Sequence, residues 1–159
     1  MLLFVERGIR GGITQCNKRY VEVNNKYHEG YDASKESNFL FYIDANNLYG
    51  WSMMQRLPIN SYEWSNEQFD APKILNLSDD ADIGYLFEVD LDIPHHLHEK
   101  FQDYPFCAEN RIVPNSSNSR KLLLTLYNKR GYVIHYRMLK LALQQGVILC
   151  KVYRALQFI

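Results

Sequence analysis

The residue types best suited to chemistry lie in one short stretch, Tyr42-Ile43-Asp44-Ala45-Asn46-Asn47-Leu48-Tyr49-Gly50-Trp51. If Asp44 ends a buried strand, its carboxylate is held rigidly and can face a cleft. If the chain then turns into a helix, the free backbone N–H groups of Asn46 to Tyr49 form an anion site suited to phosphates. A carboxylate beside such a site is what Mg²⁺-dependent phosphoryl chemistry needs. A strand-end Asp is often only a helix cap, so both interpretations stay open here.

The segments on either side of Asp44 must position it. The run Phe39–Ile43 is short, apolar and rich in aromatic residues, which predicts a buried strand. Residues 44–54 are predicted to form the following helix, and Pro58 marks its limit. Residues 24–38 are polar and are predicted to form a loop.

The rest of the chain predicts further strands and one amphipathic helix. Tyr85 to Ile93 alternate apolar and polar residues, which indicates a strand. Residues 65–82 are polar and mixed, and residues 94–120 are predicted to be a loop. Tyr132, Tyr136, Leu139 and Leu143 recur at helical spacing before Gly146, and residues 148–158 alternate as a strand. The predicted fold class is α+β.

Composition limits the class of protein. The chain has 159 residues, 18 Lys and Arg against 18 Asp and Glu, and three cysteines without metal-site or disulfide spacing. The length favours one domain and the cysteines favour a reducing compartment. The neutral charge removes the simplest argument for a nucleic-acid partner. No stretch approaches roughly 20 continuous apolar residues, so the sequence predicts a soluble intracellular protein with no membrane partner.

At Asp44 the sequence resembles the family B DNA polymerases, and most closely their protein-primed branch in phages, linear organellar plasmids and Maverick/Polinton transposons. Their first polymerase motif is an Asp ending a palm strand, three residues, then Leu-Tyr and usually Pro. Here it stands as Asp44-Ala45-Asn46-Asn47-Leu48-Tyr49-Gly50, with Gly50 in place of Pro.

The resemblance implies a role for each residue of this motif. Asp44 would be one of two catalytic aspartates that hold Mg²⁺, and the Ala45 carbonyl would touch the second metal. The stretch from Asn46 to Tyr49 would bind the nucleotide, with the amides of Asn47, Leu48 and Tyr49 on the triphosphate. The Tyr49 ring would exclude a ribose 2′-hydroxyl and so select deoxynucleoside triphosphates.

Two flanking stretches also resemble the family. Ile9-Arg10-Gly11-Gly12 resembles a Tyr-x-Gly-Gly motif whose glycines and basic residue contact the single-stranded template, with Ile9 in place of Tyr. Residues 127–154 resemble the segment leading towards the fingers. The implied partners are a DNA template and primer and a terminal priming protein. A plain Gly-Gly turn is the alternative for the first stretch.

The resemblance divides the chain at residue 62. Residues 1–62 would form part of the palm, a strand and a helix, and residues 63–159 a mixed α/β insertion with antiparallel strands. The second palm aspartate and the Lys-bearing fingers helix do not occur in the sequence, so we expect a cut piece that is inactive alone. Asp79-Asp80-Ala81-Asp82 is interpreted as a solvated turn rather than as a substitute for the missing second palm aspartate.

Other charged clusters carry less specific predictions. His95, His96 and His98 are interpreted as surface or loop residues, and Glu88, Asp90 and Asp92 as a solvated strand face. Basic residues interleaved with tyrosines could contact a DNA backbone or could form the polar side of a helix. The DNA-contact candidates are Lys129, Arg130 and Arg137. A non-catalytic module that binds nucleic acid or a priming protein therefore stays an alternative function, as does a decayed transposon remnant.

Overall fold

The computed structural model describes residues 1–14, 16, 18–113 and 119–159, which fold into two units. The first unit combines Met1–Gln15 with Pro58–Ile159, and the second is Cys16–Leu57. The first unit is therefore discontinuous in sequence, because Met1–Gln15 groups with the C-terminal part of the chain.

The described residues form helices and antiparallel strands, so the predicted α+β class is confirmed. The helices are α1 Leu2–Gly8, α2 Leu48–Met53, α3 Ala71–Leu75, α4 His98–Phe101 and α5 Tyr136–Gln144. The strands are β1 Glu63–Ser65, β2 Gly84–Asp92, β3 Glu109–Ile112, β4 Arg120–Leu123, β5 Lys129–His135 and β6 Ile148–Phe158. A 3₁₀ turn, His95–Leu97, precedes α4.

The first unit is built on a four-stranded antiparallel sheet in the order β1-β6-β2-β5. The alternation predicted for β2 is confirmed, because Phe87, Val89 and Leu91 are fully buried in the main core. Leu86, on the opposite face, packs with Phe4 of α1 in a smaller core. Full burial of a side chain such as Phe87 contributes about 2–3 kcal/mol. β2 thus contributes to both cores, with Leu86 as the only apolar side chain on the face that also carries Glu88, Asp90 and Asp92.

The amphipathic helix predicted from Tyr132 begins at Tyr136 instead. Tyr132 lies on β5, where its ring is buried, and His135 forms the N-cap of α5 by accepting a hydrogen bond from the Arg137 backbone N–H (3.3 Å). The four-residue spacing between Tyr132 and Tyr136 therefore does not lie within one helix, because Tyr132 belongs to β5 and Tyr136 begins α5. The predicted stop is confirmed, because Gly146 follows the helix with φ +100°, a conformation that favours glycine.

The strand predicted over residues 148–158 is confirmed as β6, but its single apolar face is not. The register to β2 shifts twice, between the pairs Arg154–Glu88 and Val152–Val89 and between the pairs Lys151–Asp90 and Leu149–Leu91, so Tyr153 and Cys150 are extra residues. Each bulge changes which side chains face the main core. Val152 and Leu149 pack against that core, Ile148 and Cys150 are exposed, and Leu156 is fully buried in the smaller core.

The loop predicted for residues 94–120 contains more structure than expected. The 3₁₀ turn, α4 and β3 lie within it, and β3 pairs antiparallel with β4 in a separate two-stranded sheet. Residues 114–118, most of the Ser/Asn-rich stretch on which the loop prediction relied, lie outside the described residues. No helix in the described part of the chain is long and apolar enough to cross a membrane.

The second unit is organised by asparagine side chains. The Asn24 side-chain amide donates to the carbonyls of Asp32, Lys35 and Glu36, and Asn24 forms a β-bridge with Asn38. The buried Asn25 side chain donates to the Asn38 carbonyl (3.1 Å). Residues 24–38 are thus a closed loop, as predicted, which precedes the motif segment.

The buried strand predicted at Phe39–Ile43 is wrong. Among the described residues this run pairs with no strand, and Tyr42 and Ile43 are 98% and 84% exposed. A buried strand needs neighbours for its backbone N–H and C=O groups and a cover for its apolar side chains. The second unit supplies neither, so the apolar sequence alone does not make a strand.

Candidate functional site

The candidate catalytic carboxylate, Asp44, lies on exposed, irregular backbone directly after the apolar run. Within the described residues its side chain makes no hydrogen bond or ion pair. The N-cap of α2 is Asn47, so Asp44 does not act as the helix cap that was its alternative interpretation. The carboxylate is therefore available to a ligand.

The chain between Asp44 and α2 turns through a left-handed residue. Asn47 has φ 51° and ψ 41°, a conformation that Asn tolerates better than most residues. The helix predicted for residues 44–54 is confirmed in part as α2, which begins at Leu48 and has six residues. The N–H groups at the start of a helix have no acceptor within it, and no side chain caps them here.

Gly50 is in close contact with the turn. A Cβ built on Gly50 would lie 2.5 Å from the Asn47 side-chain nitrogen. Proline, the usual residue of the resembled motif, would therefore require the Asn47 side chain to rotate. The exchange of Pro for Gly is thus coupled to the conformation of Asn47.

The candidate sugar gate, Tyr49, projects from the first turn of α2 and is 86% exposed. Leu48 and Trp51 on the same helix are also exposed. Asp44, Ala45, Asn46, Asn47 and Tyr49 thus form one contiguous exposed segment, and the structure leaves the Tyr49 ring free to contact a ligand.

The donor set for a metal is limited to the motif itself. Carboxylate and carbonyl oxygens are the ligands that Mg²⁺ prefers, and it commonly takes one or two carboxylates together with substrate phosphates. Asp44 and the Ala45 carbonyl fit that preference in kind. In the described part of the chain, no three His, Cys, Asp or Glu side chains converge as a metal-binding group.

The candidate template-binding residues lie in the first unit. Gly12 has φ +72°, which favours glycine, and no atom lies within 4 Å of a Cβ built on Gly11 or Gly12. Arg10 is half-buried, with its guanidinium 3.9 Å from the centre of the Tyr132 ring. Its Nη1 donates to the Val133 carbonyl (2.7 Å) on the edge strand β5. Arg10 therefore has a structural role in addition to any ligand it binds.

Lys129, predicted to contact DNA, has a fully buried side chain. Its ammonium donates to Glu109 Oε2 (2.8 Å), to Thr125 Oγ1 (2.8 Å) and to the Thr125 carbonyl (3.0 Å). Burial lowers the pKa of Lys129, and the Glu109 carboxylate opposes that shift. The side chain does not reach the surface, so in this structure it cannot contact a DNA phosphate.

The other two predicted DNA contacts are paired with acidic segments. Arg130 forms an ion pair with Asp92 (2.7 Å), which raises the pKa of Arg130 and lowers that of Asp92. Arg137 donates to the backbone carbonyl of Asp79. Both arginines keep exposed surface, and a DNA phosphate would compete with these partners.

The row of acids on β2 is more organised than a solvated face. Glu88 pairs with Arg7 (3.1 Å) and with Arg154 (2.6 Å). Asp90 accepts hydrogen bonds from the Gly131 backbone N–H and the Tyr153 hydroxyl (2.7 and 2.9 Å). The partners come from α1, β5 and β6, so the spacing along β2 could not reveal them. The row is consistent with a role in holding the sheet together.

The Asp79–Asp82 run and the histidines occupy the surface. Asp79 pairs with Lys140 (2.6 Å), which lowers the pKa of the Asp79 carboxyl, whereas Asp80 is largely exposed. His95 and His96 are exposed, as predicted, and His98 Nε2 lies 3.1 Å from the Ile93 carbonyl oxygen.

Sequence reasoning missed two polar residues that line a cavity together with Arg10, namely Cys107 and His135. They come from different segments, the loop before β3 and the end of β5, so no spacing links them. Burial raises the pKa of the Cys107 thiol to about 11, and Cys107 has φ 62°. Only the tertiary structure brings these groups together.

Comparison with protein-family models, with curated proteins and with solved structures finds no match to this chain.

Proposed function

We propose that this chain is a segment of a protein-primed, family B DNA-directed DNA polymerase. The observation that carries the proposal is the segment Asp44 to Gly50, whose sequence resembles the first polymerase motif. In that segment the Asp44 carboxylate has no partner within the described residues, Asn47 forms a left-handed turn, and the Tyr49 ring is exposed.

Each residue of the segment has a distinct task in this proposal. The Asp44 carboxylate would hold Mg²⁺ and the Ala45 carbonyl would touch the second metal ion, and these ions would supply the positive charge that stabilises phosphoryl transfer. The N–H groups from Asn47 to Tyr49 donate to the triphosphate. The Tyr49 ring fills the space that a 2′-hydroxyl would need, so a deoxynucleotide fits and a ribonucleotide does not.

The proposal requires that Phe39–Ile43, which is exposed and pairs with no strand in the described residues, becomes a covered strand in the complete polymerase. Contiguous exposed apolar segments of this kind mark interaction surfaces. A palm strand that leads to a catalytic Asp would be covered by further strands of the same palm. In the complete polymerase those strands would give Phe39–Ile43 the neighbours that the second unit does not provide.

The test is primer extension by the full-length polymerase that the proposal implies. Asp44→Ala should abolish deoxynucleotide addition, because the metal loses a carboxylate ligand, while the matched control Asp80→Ala should keep normal synthesis. Tyr49→Val should admit ribonucleotides without loss of fold. Undiminished synthesis by Asp44→Ala, or unchanged sugar discrimination by Tyr49→Val, would contradict the corresponding role. A reading frame without a Lys-bearing fingers motif and a Tyr-x-Asp-Thr-Asp hairpin would contradict the parent enzyme.

One observation favours the second candidate, a non-catalytic nucleic-acid-binding module. Arg111 on β3 lies directly opposite Lys121 on β4, and like charges in that position are destabilising. Glu109 Oε2, 3.4 Å from Arg111 Nη1, offsets part of that charge, and Lys121 is exposed. The Arg111 guanidinium also lies 4.8 Å from the centre of the exposed Tyr127 ring. Basic groups beside an accessible aromatic ring suit a nucleic-acid backbone and base.

The isolated chain separates the two candidates. A module of the second kind should bind single-stranded DNA with a strong salt dependence, and Asp44→Asn should leave that binding unchanged. Lys121→Ala combined with Tyr127→Ala should weaken it, while Lys26→Ala in the second unit serves as the charge control. Absence of DNA binding by the isolated chain would rule out this candidate.

A further inference from the structure

A cavity of about 360 Å³ lies in the first unit beside the edge strand β5. Its apolar wall includes Phe106, Leu124, Ile134 and Met138, and its polar lining includes Arg10 and His135. An apolar cavity with a few converging polar groups is the usual form of a small-molecule site, and its volume is at the lower end of the range of about 300–1,000 Å³.

Half of the Arg10 guanidinium is already engaged by the protein. Nη1 donates to the Val133 carbonyl (2.7 Å) and to the Gly8 carbonyl (3.3 Å), which uses both of its hydrogens. Nε and Nη2 make no hydrogen bond within the described residues. The Nε–H and Nη2–H groups form a planar fork, which matches the two oxygens of a carboxylate.

The fork is held in place before any ligand arrives. The guanidinium lies over the Tyr132 ring at 3.9 Å, and the buried Tyr132 hydroxyl donates to the Ala108 carbonyl (2.9 Å). Because the arginine is fixed, little side-chain entropy is lost when a ligand binds. Arg10 is half-buried, which deprives the cation of part of its water and lowers the pKa of Arg10, and a bound anion would offset that loss.

We propose that this cavity binds a small organic carboxylate with an apolar body, such as a single-ring aryl-alkyl acid. The Nε–Nη2 fork of Arg10 grips the carboxylate, and Phe106, Leu124, Ile134 and Met138 enclose the apolar part. The site lies outside the Asp44 segment, and the inference does not depend on the proposed polymerase function.

Titration of the full chain with 3-phenylpropionate, followed by ¹H–¹⁵N and methyl NMR, tests the proposal. Resonances of Arg10, Ile134 and Met138 should shift and saturate with a Kd of about 1 mM, which is reasonable for a ligand of this size. The neutral analogue 3-phenylpropanamide should bind about tenfold or more weakly, since it lacks the charge that a bidentate pair requires. Equal binding of acid and amide, or no saturable shift at these residues, would overturn the proposal.

Variants of Arg10 test whether its Nε–H and Nη2–H groups bind the carboxylate. Arg10→Lys keeps the charge but not the planar pair of donors, so it should weaken binding of the acid about tenfold and leave the amide unchanged. Arg130→Lys is the matched control, because that arginine pairs with Asp92 and does not line the cavity. Thermal melts establish whether each variant is folded. If Arg10→Lys does not fold, the comparison of acid and amide on the natural chain decides the question. Displacement of the acid by an oligothymidylate would assign the fork to DNA phosphate and overturn the proposal.

Discussion

Lys129 carries its ammonium into the core, where three acceptors satisfy its three hydrogens. Glu109 supplies one acceptor and Thr125 supplies the other two. In the sequence, Lys129 stands next to Arg130 and looks like part of the same basic surface. Burial of one and exposure of the other follow from alternation along β5, whose second half from Tyr132 was predicted to be helical. The basic cluster in the sequence therefore predicted a surface position for Lys129, whereas the structure buries its side chain.

Lys129→Met should destabilise the first unit by about 3 kcal/mol, because Glu109 and Thr125 lose their buried partner while the apolar stem is kept. Urea unfolding followed by tryptophan fluorescence measures the change. Lys121→Met, at an exposed position on β4, should stay within about 0.5 kcal/mol of the natural chain. Equal stability of the two variants would show that the buried network contributes nothing measurable.

His135 should make the stability of the fold sensitive to mild acid. Burial, with a smaller contribution from the Arg137 charge, lowers the pKa of His135 below its ordinary value of 6.5. The unfolded chain then binds more protons than the folded one, so stability is complete above about 6.5 and falls as the pH drops through the lowered pKa. Protonation also removes the Nδ1 acceptor that caps α5.

Denaturant unfolding at pH 7 and pH 5 tests this assignment. His135→Asn keeps an N-cap acceptor without a titrating ring, so its loss of stability between the two values should be smaller than that of the natural chain. The depressed carboxyl pKa values of Asp79 and Asp92 lose their stabilising contribution only below their ordinary value of 3.8, outside this interval. An identical loss in both proteins would remove His135 as the source.

At the scale of elements, α5 shows how one helix face supports the sheet. Leu139 is fully buried in the main core, whereas Leu141, on the same helix, is 39% exposed. Leu139→Ala should cost about 2–5 kcal/mol, because it leaves a cavity against β2. Leu141→Ala is the matched control and should cost less than 1 kcal/mol, since part of that side chain is already in water. Similar losses in urea unfolding would show that the burial of the helix is wrongly assigned.

The elements that sequence predicts well are those with a long, regular period. The alternation of β2 extends over its whole length, and both neighbours of β2 are strands of the same unit. By contrast, Phe39–Ile43 is apolar without a period, and its outcome depends on neighbours that the sequence cannot reveal. The bulge at Tyr153 also has no local signature, because it results from the pairing of β6 with β2.

The candidate site was predictable to the extent that it is contiguous in sequence. Asp44, Asn47 and Tyr49 are close in the chain, so their proximity follows from the motif, whereas the exposed backbone that carries Asp44 does not. Arg10, Cys107 and His135 share a cavity only because the chain after α1, the loop before β3 and the end of β5 meet in three dimensions. No spacing rule connects residues from three separate segments, and sequence reasoning could therefore not assemble that cavity.

At the scale of the whole molecule, the two units contribute unequally to the free energy of folding. In the described residues, every buried apolar side chain belongs to the first unit, and the second unit buries only Asn25. Apolar burial is the main favourable contribution to folding. The sheet, its two cores and α1 should therefore hold their structure without Cys16–Leu57, although the first unit is discontinuous in sequence.

Replacement of residues 16–57 by a Gly/Ser linker of about 12 residues should leave the first unit folded, with a melting temperature within a few degrees of the natural chain. A linker of that length has a root-mean-square span of about 20 Å, and each doubling adds only about 0.6 kcal/mol of closure entropy, so linkers of 12 and 24 residues should behave alike. Removal of residues 1–8 from the natural chain is the contrasting change, because it takes the buried Phe4 out of the smaller core and should cost about 3–5 kcal/mol. If both linker variants unfold while the chain without residues 1–8 stays native, the sheet depends on the second unit for its stability and does not depend on α1.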